Sequence, residues 1–196
     1  MNRLAEFLTC FYGSKTRKGL NKLALCHPTH VAGLARLGDI HCLDRRLALL
    51  RVCLLHDVVE DCDRYTLADL ACRFDLTEEE QEALRLLDRH RHDDCAYWEQ
   101  IFRHPLALRA KVADRIANLT DLIAWIESDG RLVCGARRQA EKYLRENEQV
   151  APLFERHVPA EPAPGDDDEI RGLQCMRDSM DHLTETLKNT MEQYEN

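Results

Sequence analysis

The sequence predicts an all-α fold. Apolar residues recur at helical spacing along nearly its whole length, and runs with the alternating period of a half-buried strand are almost absent. Composition agrees: of 196 residues 32% are charged and only 6% aromatic, with 8 glycines and 6 prolines, a mixture that favours helices over a sandwich or barrel. A hydrophobic share of 44% supports one packed core domain of ordinary size.

The elements can be placed in order. Met1 to Phe11 is amphipathic, but it carries Arg3 and Glu6 and lacks a long apolar run with a small-residue cleavage site, so a secretory leader is not expected. No apolar stretch approaches membrane-spanning length, and the expected location is the cytoplasm. Pro28 suits the first position of a helix, with His27 just outside it; this helix runs through Val31, Leu34 and Leu37 and meets a stop at Gly38. The next begins near Asp44, turns Leu47, Leu50, Leu54 and Leu55 inward, and ends in the run His56-Asp57-Val58-Val59-Glu60-Asp61. Thr66 with Asp69, and Thr77 with Glu80, have capping-box spacing, which predicts a short helix through Cys72 and a longer one through Leu87.

The segment Arg89-His90-Arg91-His92-Asp93-Asp94 reads as a polar connection, followed by a short helix around Trp98 and Phe102. Pro105 then opens a long helix through Leu108, Val112, Ile116, Leu119, Leu122 and Ile126 that ends near Gly130 and carries Asp114. A further helix is expected from about Leu132 to Val150. The stretch from Pro159 to Asp168 is rich in proline and aspartate and reads as a flexible linker. Beyond it, Ile170, Leu173, Met176, Met180, Leu183, Leu187 and Met191 form one helical stripe that either folds back on the domain or pairs with a second copy. The expected organisation is a domain over residues 1–156, a linker over 157–168 and a C-terminal helix over 169–196.

Lysine and arginine number 27 against 35 acids, a formal charge of -8, so nucleic acid is not expected as a partner and a phosphate-bearing small molecule would need a local basic patch or a metal. The 9 cysteines are scattered singly without a Cys-x-x-Cys pair. Most lie beside apolar residues such as Leu25, Val52, Ala71 and Val133, and are expected to be small buried hydrophobes in a reducing compartment.

The acidic run carries the chemistry. On a helix, His56 shares a face with Glu60, and Asp57 with both Glu60 and Asp61. Carboxylates buried this closely are costly unless a cation neutralises them. Imidazole nitrogens mixed with carboxylate oxygens suit Mn, Fe, Co or Zn better than Ca or Mg alone. With His27, His56, Asp57 and Asp114 as ligands, an octahedral ion keeps positions for water and a substrate phosphate, and Glu60 and Asp61 are then placed to manage the proton of that water. A His-Asp pair in isolation is usually a solvated surface pair, but here it sits between Val52-Cys53-Leu54-Leu55 and Val58-Val59, which marks a half-buried helix end. His30 reads as a pocket or packing residue. His41, His90, His92, His104, His157 and His182 lie in polar contexts and receive no role.

His27-Pro28 followed by Val31-Ala32, then Leu54 to Asp61, then Lys111-Val112-Ala113-Asp114-Arg115-Ile116-Ala117-Asn118-Leu119, in that order, resemble the motifs of the histidine-aspartate (HD) superfamily of metal-dependent phosphohydrolases. Within it, the Glu60-Asp61 extension is most similar to the hydrolase domain of RelA/SpoT-type enzymes and the small alarmone hydrolases. The resemblance spans residues 15 to 125 or so. It implies an HD-domain helical bundle with the C-terminal helix as an addition. It also implies a Mn2+ ion on His27, His56, Asp57 and Asp114, with Glu60 and Asp61 serving the attacking water. Asn118 would touch the nucleotide, and Lys15, Arg17 and Lys18 would occupy a basic substrate-binding stretch. The implied reaction removes the 3'-pyrophosphate of (p)ppGpp, giving GDP or GTP and pyrophosphate. The approach to the first histidine, Asn21 to Cys26, and the stretch Asp88 to Asp94 depart from the alarmone pattern. The alternatives are therefore an HD phosphohydrolase for another nucleotide (a nucleoside monophosphate, a deoxynucleotide or a dinucleotide phosphate such as NADPH) and a non-catalytic helical module that binds a nucleotide.

Overall fold

The computed structural model describes residues 2–60, 64–89, 94–159 and 167–195. Among these residues there are nine α-helices and no strand beyond one isolated antiparallel bridge between Thr16 and Leu23, so the fold is all-α as expected. The chain divides into two compact units, residues 1–111 and 112–196.

The first unit holds α1 (Asn2–Tyr12), α2 (Cys26–Leu34), a single 3-10 turn (Leu37–Asp39), α3 (Leu43–Glu60), α4 (Leu67–Phe74), α5 (Glu78–Leu87) and α6 (Asp94–Phe102). It also holds the opening turns of α7 (Pro105–Asp129). At its centre is α3, against which α2, α5 and the 3-10 turn pack. The buried residues of α3 are Ala48, Leu49, Val52, Cys53, Leu55, His56 and Val58, a set spaced by three and four that brings His56 onto the inward face. Of the four leucines expected inside, Leu55 is buried, whereas Leu47, Leu50 and Leu54 are only half-buried. The helix is apolar on several sides, so its pattern alone does not say which stripe its neighbours cover.

Both predicted capping boxes form. Thr66 Oγ1 accepts from the Asp69 amide at 3.1 Å while the Asp69 carboxylate accepts from the Thr66 amide at 2.9 Å. At α5 the Thr77 hydroxyl accepts from the Glu80 amide and the Glu80 carboxylate accepts from the Thr77 amide at 2.8 Å. Glu80 is wholly buried, and its other oxygen accepts from Arg51 Nε at 2.5 Å, so the cap of α5 is fastened to α3.

Three boundaries differ from expectation. Helix α2 starts at Cys26, which puts His27 inside its first turn and not ahead of it. It ends at Leu34, short of Gly38, because Arg36 takes the left-handed conformation (φ 52°) that breaks the helix. Arg36 is held there by its ion pair with Asp39 at 2.5 Å, an interaction that no propensity rule anticipates. Helix α8 (Cys134–His157) runs one turn and more past Val150, straight through Pro152.

In the second unit α7 ends where Gly130 adopts φ +63°, and α8 packs against α9 (Asp167–Tyr194). The two run antiparallel: Leu132 N donates to Tyr194 O at 3.1 Å at one end, Asn147 Nδ2 donates to Thr184 Oγ1 at 2.8 Å midway, and Arg177 meets Glu155 at 3.6 Å near the other. Met176, Met180 and Leu187 of the C-terminal stripe are buried, so α9 folds back within its own unit. Helix α7 is tied to α8 by a buried ion pair between Arg115 and Glu146, with the Arg115 guanidinium 4.3 Å over the Tyr143 ring.

Most cysteines are not buried as expected. Cys53 is, but Cys10, Cys26, Cys42, Cys72, Cys134 and Cys175 are exposed. A residue next to a buried one on a helix points about 100° away from it, so an apolar neighbour does not imply burial. Residues 160–166 of the expected linker, residues 90–93 of the expected polar connection and Cys62 lie outside the described residues. Among the described residues, no helix is long and apolar enough to cross a membrane.

Candidate metal centre

Two helices of the first unit bring three donors together. His27 comes from the first turn of α2, which has no side-chain cap and is entered through a tight turn in which the Cys26 amide donates to Leu23 O and the His27 amide to Ala24 O, each at 3.0 Å. His56 and Asp57 come from the last turns of α3. Because α2 packs on α3, the His27 and His56 rings face each other with centroids 5.4 Å apart and planes inclined by 52°. The Asp57 carboxylate turns one oxygen to each ring, Oδ1 at 2.9 Å from His56 Nε2 and Oδ2 at 3.7 Å from His27 Nε2.

His56 Nδ1 lies 2.8 Å from the Cys53 carbonyl. With the Nδ1 proton donated to that oxygen, Nε2 presents its lone pair toward Asp57, the tautomer a metal ligand requires. Both histidines are buried, at 1% and 3% exposure, while the Asp57 side chain keeps 21% and leaves one side of the group open to solvent. One donor atom from each of the three lies within 4.8 Å of the others.

The two separations to the Asp57 oxygens are compatible with one bound metal ion. Donors about 2.1 Å from one ion lie about 3 Å apart at right angles and at most about 4.2 Å apart when opposed. The 2.9 and 3.7 Å separations fall in that span. Two imidazoles and a carboxylate form a mixed set that hard cations such as Ca2+ do not favour. The group can therefore hold a divalent metal ion.

The remaining expected site residues are distributed as follows. Glu60 is the final residue of α3, half-buried and one turn beyond His56 and Asp57, whereas Asp61 lies outside the described residues. Asp114 and Asn118 belong to the second unit, where Asp114 is buried at 6% exposure and its Oδ1 accepts from Asn118 Nδ2 at 2.6 Å. That hydrogen bond fixes the Asp114 carboxylate on α7, next to the buried Arg115. Lys15, Arg17 and Lys18 lie in the connection between α1 and α2, a small reversal in which Arg17 N donates to Lys22 O and Ala24 N to Lys15 O, each at 2.8 Å. Lys15 and Lys18 are exposed there, and the Lys15 ammonium sits 5.0 Å over the Phe11 ring.

Sequence reasoning missed the Cys53 carbonyl as the group that orients His56, since a backbone atom leaves no compositional signal. It also assigned no part to His104, whose Nδ1 accepts the Ala107 amide at 3.4 Å ahead of Pro105 and so caps α7. A polar residue directly before a helix-opening proline is the signal that could have found it. No protein-family model matches this chain, and no curated protein matches it in sequence.

Proposed function

We propose that the protein is a metal-dependent phosphohydrolase of the HD type acting on a nucleotide, with the 3'-pyrophosphate of (p)ppGpp as the substrate group. The observation that carries this reading is the convergence of His27, His56 and Asp57, two of them deeply buried, within 4.8 Å. In this reading Asp114 completes the ligand set, α1 to α8 belong to an HD bundle with α9 as its addition, and the ion is Mn2+.

Such an ion, when bound, polarises a phosphoryl oxygen and makes a water molecule acidic enough to attack near neutral pH. The chain's own residues supply the rest. Glu60 and Asp61 accept the proton of the attacking water and return it to the 3' oxygen of the departing GDP or GTP, leaving pyrophosphate as the second product. The Cys53 carbonyl keeps His56 in its ligating tautomer. Asn118 holds Asp114 in one orientation and offers its remaining amide capacity to the nucleotide. Lys15, Arg17 and Lys18 neutralise the substrate phosphates, which a chain of formal charge -8 would otherwise repel.

The test is to strip the purified protein with a chelator, reload it with Mn2+, incubate it with (p)ppGpp and with simple nucleotides, and identify each product. Intact pyrophosphate from (p)ppGpp, lost in His56→Ala and Asp57→Asn, supports the reading. Orthophosphate from other nucleotides moves the protein to a different HD substrate. Turnover of none, with a folded and metal-loaded protein, leaves a non-catalytic nucleotide-binding module.

A further inference from the structure

The first unit contains a second place suited to a phosphorylated ligand, and none of its lining residues belongs to the His27, His56 and Asp57 group. A cavity of about 580 Å³ opens beside α1 and the C-terminal end of α4. Four cations line it, namely Arg3 from α1, Lys15 just after α1, Arg64 ahead of α4 and Arg73 in the last turn of α4. Among the described residues, Glu6 is the only carboxylate in the lining. Among the described residues none of the four cations forms a salt bridge, although the chain as a whole carries a charge of -8. Cations gathered without counter-charges repel one another, and an anion in their midst relieves that repulsion.

Aromatic rings alternate with these cations. Phe7, Phe11 and Tyr65 line the same cavity, with Phe7 buried and set edge-on to Tyr65 at 5.2 Å. Each of three cations lies over a ring: Lys15 over Phe11 at 5.0 Å, Arg64 over Tyr65 at 5.7 Å and Arg73 over Phe7 at 4.9 Å. Phe11 and Tyr65 are half-buried and keep part of their surface toward the cavity. Cations alone describe a site for inorganic phosphate. Cations interleaved with flat π-surfaces, in a cavity within the usual range of about 300–1,000 Å³ for small molecules, describe a site for a phosphate that carries an aromatic base.

We propose that this cavity binds a nucleoside phosphate, its base laid against Phe11 and Tyr65 and its phosphates among Arg3, Lys15, Arg64 and Arg73. Glu6 is the group able to accept from an exocyclic amino group on the base, which favours guanine over uracil. The binding requires no metal and shares only Lys15 with the residues assigned to the hydrolase substrate; the cavity would hold its ligand in a protein with no hydrolytic activity.

Equilibrium dialysis of radiolabelled GDP against the full chain, in excess EDTA, tests the proposal. The expected result is saturable binding of one GDP per chain that persists in His56→Ala. Affinity should fall at least tenfold in the double variant Lys15→Gln/Arg64→Gln, with circular dichroism confirming that it is folded. UDP and guanosine should each compete at least tenfold more weakly than GDP, since one lacks the amino group and the other the phosphates. Tyr65→Leu separates base from phosphate by weakening GDP while inorganic pyrophosphate still competes as before. No saturable binding in EDTA, GDP binding indifferent to Lys15→Gln/Arg64→Gln, or displacement of GDP by a single-stranded oligonucleotide at lower nucleotide concentration would each overturn it.

Discussion

His56 is held at one end of its ring by the Cys53 carbonyl at Nδ1, which leaves the Nε2 lone pair directed toward the Asp57 carboxylate and limits the rotational freedom lost when it ligates. His27→Ala removes one donor of the group without touching α3, and its expected effect is a loss of Mn2+ affinity of at least about tenfold by titration calorimetry, a lower bound taken from partners one shell further out. His104 makes a different prediction. Burial holds its imidazole below the ordinary value of 6.5, against a smaller opposing pull from Glu79. The unfolded chain therefore takes up the proton first as pH falls, and the contribution of the neutral ring is complete above 6.5 and lost as pH drops through the lower folded value. Protonation at Nδ1 would also end its acceptance of the Ala107 amide. Urea unfolding from pH 7.5 to 5 should thus show the wild type losing more stability than His104→Asn, which caps without titrating in that range. His104→Ala should cost about 1 kcal/mol at pH 7.5. The cap had a local signal in the polar residue directly before Pro105, but the lowered titration did not, because only packing makes that ring half-buried.

The helices carry their own punctuation, and this was the most legible layer of the sequence. Both Thr-x-x-acid boxes form, Pro105 opens α7, and Gly130 closes it in a left-handed turn. A side chain at Gly130 meets no atom within 4 Å, so Gly130→Ala pays only for its φ of +63° and should cost about 1 kcal/mol in thermal or urea unfolding. The box at α5 is more consequential than its sequence suggests, since Glu80 serves the cap and Arg51 of α3 at once. Thr77→Ala should cost about 1 kcal/mol, whereas Glu80→Ala, which strips both the cap and the charged partner of Arg51, should cost about 2–3 kcal/mol. Nothing in the spacing of Thr77 and Glu80 announces Arg51, which stands 29 positions earlier. Pro152 shows the converse: a residue that usually ends helices is carried inside α8, which continues to His157.

At the scale of the whole molecule, a metal ion that binds only the folded chain must stabilise it by mass action. At free Mn2+ about a thousandfold above its dissociation constant the gain is about 4 kcal/mol. Differential scanning fluorimetry should show a higher midpoint with Mn2+ than with EDTA for the wild type, and no such difference for His56→Ala; an equal response in the two proteins would place the ion elsewhere. The sequence by itself determined the all-α class, the order of the helices and the residue types able to ligate, because helical periodicity, capping spacings and donor chemistry are local properties of the chain. It did not determine which side of α3 is covered, since that helix is apolar on several faces and only its packing with α2 and α5 selects the stripe ending in His56. Nor did it foresee that cations far apart in the chain, Arg3 and Arg73 among them, would line one cavity with Phe7 and Tyr65. Proximity between distant residues is a product of packing, and packing is decided by the summed fit of many side chains that no short stretch of sequence contains.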